Sequence, residues 1–273
     1  MTEENEKQRS SEKRGVFKLP KAGYPYFGQA IGILMFDTKT AVTNDLNVPA
    51  KLQEFTRIPG DVGNATSFNF PVQYKLMRGL QVNDIVCTQP TIETEHKIAE
   101  LAKEMEREGV RAIATTCGLM SWFQPVMAEA VDIPVFASSL LQVPVVSRVM
   151  GKNKKVGIIT VDAEFLTQEN LSRVGIDESI PHIVYGLERS GLFVSEIEPA
   201  ERLKALEGVL VPTATKMVKD NPEVAAIVYE CTLLPPTSTA VQEATGLPVF
   251  DVITLIKWAY SAVVQKKKFD GFM

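Results

Sequence analysis

The sequence predicts an α/β fold made of two related halves, each a parallel sheet covered by helices. Three observations carry that prediction. Apolar runs of strand length alternate with helix-period segments along most of the chain. Those runs are apolar throughout rather than at every second residue, as strands buried on both faces require. One layout occurs twice: an apolar strand ending in a cysteine, then a helix, then a Pro-Val-Phe strand.

The elements follow in order. Residues 30–36 (AIGILMF) read as a buried strand, and residues 67–74 and 84–87 as further strands. Residues 91–108 form a helix, since Ile98, Leu101, Ala102 and Met105 fall at helical spacing and Gly109 stops it. Residues 111–116 are the next strand, 120–131 a helix, 133–136 a short strand, and a helix runs on to Met150. The second half gives strands at 155–160, 183–185, 224–229 and 247–250, with helices at 163–174, 200–219, 237–245 and 253–265.

Composition limits the function classes. The chain has 273 residues, 45% apolar and 23% charged, with a net charge of −4, ample for a globular core. No basic stripe interleaved with aromatics marks a nucleic-acid surface, and Lys266, Lys267 and Lys268 read as a solvated helix end. No apolar run reaches the roughly 18–20 residues of a membrane span, and the acidic first residues lack a signal pattern, so a cytoplasmic protein is expected. Residues 1–19 are polar and read as a disordered tail. The expected first domain is 20–140 plus 248–273, and the second is 141–247.

The three cysteines, Cys87, Cys117 and Cys231, are too few and odd in number for a disulfide framework. His96 and His182 stand apart from them, so no zinc spacing exists. Neither a dinucleotide-binding glycine pattern nor a Walker A sequence occurs.

The repeat singles out two thiols. Residues 110–119 (VRAIATTCGL) match residues 224–233 (VAAIVYECTL), and VDIPVF at 131–136 matches TGLPVF at 245–250. Cys117 and Cys231 therefore end equivalent strands, one on each side of a cleft between halves. Ligands of parallel sheets bind beyond such strand ends. Cys87 has no counterpart and reads as structural. A thiol where a strand turns into a helix meets free N–H groups, here offered by Gly118, Leu119, Thr232 and Leu233, which favour the thiolate. The hydroxyls of Thr116 and Thr232 add donors. Two thiols flanking a carbon acid can remove Cα–H from one face and protonate the other. Positioned N–H groups would stabilise the carbanion.

At these residues the chain resembles the aspartate/glutamate racemase superfamily, which holds aspartate, glutamate and hydantoin racemases, maleate cis–trans isomerases and arylmalonate decarboxylases. Residues 114–118 (ATTCG) and 229–236 (YECTLLPP) carry the resemblance, supported by 32–38 (GILMFDT). It implies two pseudo-symmetric Rossmann-like domains with the active site in the cleft between them. It also implies that Cys117 and Cys231 are the acid/base pair and that Asp37, Thr38 and Thr160 lie near the substrate. No cofactor and a homo-oligomer, dimer or higher, are implied as well. Racemases usually carry a polar Asn-Thr segment after the first cysteine, where this chain has Gly118-Leu119 and then Ser121. They often have Thr-His after the second, where Thr232-Leu233 stands. The Thr-Thr-Cys-Gly form is similar to the isomerase and decarboxylase branches.

Several residues keep two readings. Glu230 either tunes the neighbouring thiol or holds a backbone amide, and Asp37 either binds a substrate ammonium or caps a turn. Asp162 is expected as a helix cap, His182 as structural, and Trp122 and Phe123 as core. The leading functional expectation is a cofactor-independent racemase of an aspartate- or glutamate-like amino acid or related chiral carboxylate. Maleate isomerase-like or arylmalonate decarboxylase-like chemistry is the alternative, and a non-catalytic small-acid binding protein the second. The expected partner is a small carboxylate, with no nucleic acid and no membrane.

Overall fold

A computed structural model describes residues 27–37, 57–80, 84–86, 89–188, 190 and 201–264. Its first sheet contains β1 (Ile31–Met35), β2 (Val72–Leu76), β3 (Ala112–Thr115) and β4 (Val135–Phe136), in the order β2-β1-β3-β4. Its second contains β5 (Lys155–Thr160), β6 (His182–Gly186), β7 (Val224–Tyr229) and β8 (Val249–Phe250), in the order β6-β5-β7-β8. Every pairing is parallel. The two halves therefore share one topology, as the repeat predicts.

Among the described residues seven α-helices cover the sheets: α1 (Ile92–Arg107), α2 (Gln124–Ala130), α3 (Val143–Met150), α4 (Gln168–Ser172), α5 (Arg202–Asp220), α6 (Ser238–Thr245) and α7 (Val252–Val263). Side chains alternate between the faces of each strand. On the first sheet, Leu34 and Ile113 pack with Ile98, Met105 and Met127 of α1 and α2. Ile31, Ile33, Ala112 and Ala114 point the other way, onto Ile256, Ala259 and Val263 of α7. On the second sheet, Ile159, Ile227 and Tyr229 pack with Leu206, Leu210 and Met217 of α5, while Ile158 and Val228 meet Val143 and Val146 of α3 and Leu171 of α4.

Two helices are thus exchanged. α3 follows the first sheet but covers the second, and α7 follows the second sheet but covers the first, where Tyr260 stacks on Phe70 at 3.7 Å. The two crossover segments bind each other: Gln142 Nε2 donates to the Asp251 carbonyl at 2.9 Å, and Thr254 Oγ1 donates to Gln142 Oε1 at 3.0 Å. β8 pairs with β7, so the chain returns to the first half at Asp251, not at residue 248. Asp251 caps α7, accepting the Thr254 N–H at 2.8 Å.

Three sequence expectations need correction. Residues 67–74 are not one strand: a 3-10 turn covers Ala65–Ser67, and pairing begins at Val72 because Pro71 has no N–H for the ladder. Residues 84–86 form a turn rather than a strand, and Cys87 lies outside the described residues. The helix expected at 163–174 shrinks to α4, which starts where the Thr167 side chain accepts the Asn170 N–H in a capping box. The tail at 1–19 and Lys266, Lys267 and Lys268 also lie outside the described residues. Among those residues no helix is long and apolar enough to cross a membrane.

The symmetry reaches individual side chains. Gly32 of β1 pairs with Ile113 and Ile113 with Val135, as Gly157 of β5 pairs with Ile227 and Ile227 with Val249. Each glycine makes room for a methionine on the helix above. A Cβ at Gly32 would lie 2.3 Å from Met105 Cε, and one at Gly157 2.5 Å from Met217 Cε. Gly32→Ala and Gly157→Ala should each cost about 1–3 kcal/mol through overpacking, read as a lower urea midpoint at constant slope. Shortening the facing methionine to valine should recover part of that loss, whereas an unchanged midpoint in the single variants would contradict the tight fit.

Candidate active site

Equivalent backbone bonds carry both cysteines beyond the ends of β3 and β7. The Thr116 N–H donates to the Leu34 carbonyl at 3.0 Å, and the Glu230 N–H donates to the Ile159 carbonyl at 2.9 Å. Each bond extends the ladder by one residue, and the cysteine comes next. The Cys117 carbonyl then accepts from the Met120 N–H at 3.2 Å, and the Cys231 carbonyl from the Leu234 N–H at 3.3 Å. Short 3-10 turns follow at Gly118–Phe123 and Pro235–Thr237. Thr115 pins the first strand end, its Oγ1 donating to the Ala137 carbonyl at 2.6 Å.

The two strand ends meet. Thr232 Oγ1 donates to the Thr116 carbonyl at 2.7 Å, and Ser139 Oγ donates to the Tyr229 carbonyl at 2.6 Å. Gly118 lies against Glu230 so closely that a Cβ would sit 2.2 Å from both its carbonyl oxygen and Oε1. Only glycine fits there, for lack of space rather than for its backbone angles. Cys117 packs against core residues of both halves and keeps some exposure, while Cys231 is 8% exposed. Each thiol lies within reach of the same Glu230 charge.

Glu230 is 3% exposed, and its Oε2 accepts the Thr160 hydroxyl at 2.8 Å. Burial pushes its carboxyl up to about 7, although the Thr160 hydroxyl and the Leu119 N–H both favour the charged form. Burial also raises the Cys117 thiol to about 12, with the Glu230 charge second. The Leu119 and Met120 N–H groups pull the other way. Cys231 is held well above the ordinary thiol range by burial and then by Glu230, with the Leu233 N–H opposing. The sequence reading expected the turns to favour thiolates. Their N–H groups do act in that direction, but desolvation and a neighbouring carboxylate outweigh them.

The other expected residues divide. The Leu119 and Leu233 N–H groups favour the charged thiols, as does that of Met120, which the sequence reading missed, yet the Cys117 side chain accepts no capping hydrogen bond from its turn. Gly118 and Thr232 serve instead to join the halves. Thr232 does not donate to a thiol, because its hydroxyl is taken by the Thr116 carbonyl. Thr116 Oγ1 is buried without a hydrogen-bond partner among the described residues, and so is Ser121 Oγ. Asp37 is buried just past β1, and Thr38 lies outside the described residues. Asp162 accepts the Glu164 N–H at 2.9 Å in a turn ahead of α4 rather than capping that helix. Trp122 and Phe123 are core residues, and His182 Nδ1 sits 2.8 Å from the Ile180 carbonyl.

A charged group beside Cys231 escaped the sequence reading. Arg57 Nη1 donates to Asp61 Oδ1 at 3.2 Å, and Asp61 is 2% exposed. Burial raises the Asp61 carboxyl against the pull of Arg57 and Arg202. Arg202, at the start of α5, is lowered to about 10 by its own burial and interacts with both Asp61 and Cys231. The 57–64 loop therefore packs against the second half. Ile58 enters the second core, and Gly60, at φ 97°, passes so near Pro236 that a Cβ would lie 2.9 Å from its Cα. These residues follow no motif and come together only through the fold. Among the described residues no three His, Cys, Asp or Glu side chains group as a metal site.

With this geometry established, known proteins offer three comparisons. The family model described as Asp/Glu/hydantoin racemase matches residues 83–259. A dimethylsulfoniopropionate lyase of Durusdinium sp. clade D is 29% identical over 219 residues, spanning 78% of this chain and 72% of that protein. Dimethylsulfoniopropionate lyase 7 of Emiliania huxleyi is 27% identical over 77% of this chain, but the match spans 64% of its length, less than two thirds. Among solved structures, a mutant arylmalonate decarboxylase in a sulfate-associated form aligns with a TM-score of 0.56 at 16% identity, covering 87% of this chain and 94% of that one. An aspartate racemase homologue from Pyrococcus horikoshii OT3 aligns at 0.53 and 15% identity, covering 87% and 100%. At such identities these two likenesses concern the fold.

Replacing Glu230 by glutamine keeps the acceptor for Thr160 and removes the charge that raises both thiols. Iodoacetamide should then alkylate Cys117 several-fold faster at pH 8–9, and an unchanged rate would exclude Glu230 as a source of the shift. The stability effect has a definite sign. A carboxyl raised from 4.5 to about 7 binds its proton more tightly in the folded chain. Its contribution is present below pH 4.5 and is lost as the pH rises through about 7. Glu230→Gln should therefore gain on the native protein by about 1–3 kcal/mol at pH 8 and not at pH 4.5 in denaturant titrations.

Proposed function

The chain belongs to the Asp/Glu/hydantoin racemase family, and from that premise we propose that it is a cofactor-independent lyase. It removes the Cα proton of a short carboxylate with a cysteine base and expels a leaving group from Cβ. Dimethylsulfoniopropionate is the first substrate to test, because the curated relatives named above are lyases of that compound. The observation that carries the reading is a pair of unequal thiols beside one buried carboxylate. Cys117 keeps some exposure and packs between the cores of both halves, whereas Cys231 is 8% exposed and feels the charge of Arg202. Elimination asks for one base and one assisting group, and inequivalent thiols suit that division.

The electrostatics support a zwitterionic substrate. Glu230 is poised to face the sulfonium cation, and that cation offsets the carboxylate charge and burial that hold the thiols protonated. The substrate thus helps to ionise its own base. Its carboxylate takes the Thr116 hydroxyl, which has no hydrogen-bond partner among the described residues and also meets the charge developing in the transition state. The thiolate takes the Cα proton, the C–H pair becomes the Cα–Cβ double bond, and the Cβ–S pair leaves on sulfur. The products are acrylate and dimethyl sulfide.

Racemisation is the second reading, favoured by the matched register and backbone bonds of the strand ends that carry the two cysteines. It shares the first step and differs in returning a proton to the opposite face. Incubation with dimethylsulfoniopropionate should release dimethyl sulfide and acrylate in equal amounts. Cys117→Ser and Cys231→Ser should each lower kcat/KM at least about 100-fold, one more steeply than the other. No release, with deuterium entering Cα of aspartate or glutamate from D2O as optical activity falls, would replace the lyase by a racemase.

A further inference from the structure

We propose that Arg173 is a positioning residue: by gripping Trp122 across the boundary between the halves, it holds the 118–123 turn in register with Cys117. Arg173 closes α4, in the second half. Its guanidinium lies over the Trp122 ring, 4.1 Å from the centroid, and its Nη1 donates to the Trp122 carbonyl at 3.1 Å. Trp122 belongs to the first half's core and to the turn that follows Cys117. A cation on an aromatic face together with a bond to the backbone carbonyl fixes both the side chain and the main chain of one residue.

The grip is braced from both halves. Glu169 Oε1, one turn earlier on α4, accepts from Arg173 Nε at 2.9 Å. Glu95 Oε1, on α1, accepts the Trp122 indole N–H at 2.9 Å and lies 3.7 Å from Arg173 Nη1. The indole is thus held by its edge from the first half and by its face from the second. Glu95 and Glu169 are the carboxylates facing the guanidinium, and Glu230 is the one acting on Cys117. Arg173 and Glu95 are each about three-quarters buried, so water screens the arrangement less than it would a surface pair.

The turn needs such a clamp because it serves both halves. Leu119 enters the second half's core, while Met120, Trp122 and Phe123 enter the first. The turn starts at Cys117, whose carbonyl accepts the Met120 N–H at 3.2 Å. A small rotation of one half against the other would shift this turn, and Cys117 with it, without unfolding either sheet. Cys231 starts a different turn, its carbonyl accepting the Leu234 N–H at 3.3 Å, whereas Arg173 bonds Trp122 in the turn after Cys117. The consequences of losing the grip are therefore one-sided.

That asymmetry gives a test that needs no substrate, so its failure is separable from that of the lyase reading. Arg173→Ala, Arg173→Lys and Trp122→Phe are compared with the native protein by hydrogen–deuterium exchange and by timed iodoacetamide labelling, each cysteine being followed by peptide mass spectrometry. In Arg173→Ala, exchange across residues 118–123 should quicken roughly tenfold or more while the turn after Cys231 stays unchanged. The Cys117-to-Cys231 labelling ratio should shift at least about threefold. Arg173→Lys, which keeps the cation but not the planar fork, should fall between. Trp122→Phe, which keeps the ring face but loses the bond to Glu95, should shift the ratio in the same direction. Exchange unchanged at 118–123, or quickened equally in both turns, would overturn the proposal, as would an unaltered labelling ratio. If Arg173→Ala does not fold, Arg173→Lys and Trp122→Phe decide by the same criteria.

Discussion

Glu230 is buried with its side chain against the Gly118 backbone, its Oε2 on the Thr160 hydroxyl, and a thiol within reach of its charge in each half. A carboxylate in that position is costly unless its acceptors are filled and its neighbours fixed. The rest of the site can be understood as meeting that condition. Gly118 must lack a side chain, Thr160 must present its hydroxyl from the end of β5, and the Leu119 N–H must arrive from the opposite half. The burial that raises Glu230 and both thiols therefore exists only while the halves are in contact.

The architecture serves this by repetition. Two sheets of the same order end in the same bonds, and each cysteine follows the last ladder hydrogen bond of a central strand. The exchanged helices α3 and α7 tie each half to the other's core, and the crossover segments are bonded directly through Gln142, Asp251 and Thr254. Symmetry of backbone does not extend to chemistry. The residue before the first cysteine is Thr116, whose hydroxyl has no hydrogen-bond partner among the described residues, and the residue before the second is Glu230. The two thiols also differ in exposure. An elimination can use such a pair as it stands, whereas a racemase needs it evened out by the substrate.

Much of the fold was legible along the chain. Continuous apolar strands, stop signals such as Gly109 and the doubled Pro-Val-Phe layout are local patterns, and parallel sheets in two halves follow from them because a strand's surroundings leave their mark on its own residues. The errors fell where local pattern is weakest. Pro71 delayed a strand, and a Thr167 cap shortened a helix. Cys117, Cys231, Leu119 and Leu233 could be nominated from strand-end position alone.

The chain by itself therefore determined the two-half α/β architecture and the placing of one thiol at each central strand's end, since both are written in residues close together in sequence. Only the tertiary structure decided how burial raises those thiols, the part played by Glu230, the charges of Asp61 and Arg202 that reach Cys231, and the grip of Arg173 on Trp122. Ionisation is set by burial and by charges brought together from distant segments, and neither quantity exists until the halves have closed on each other.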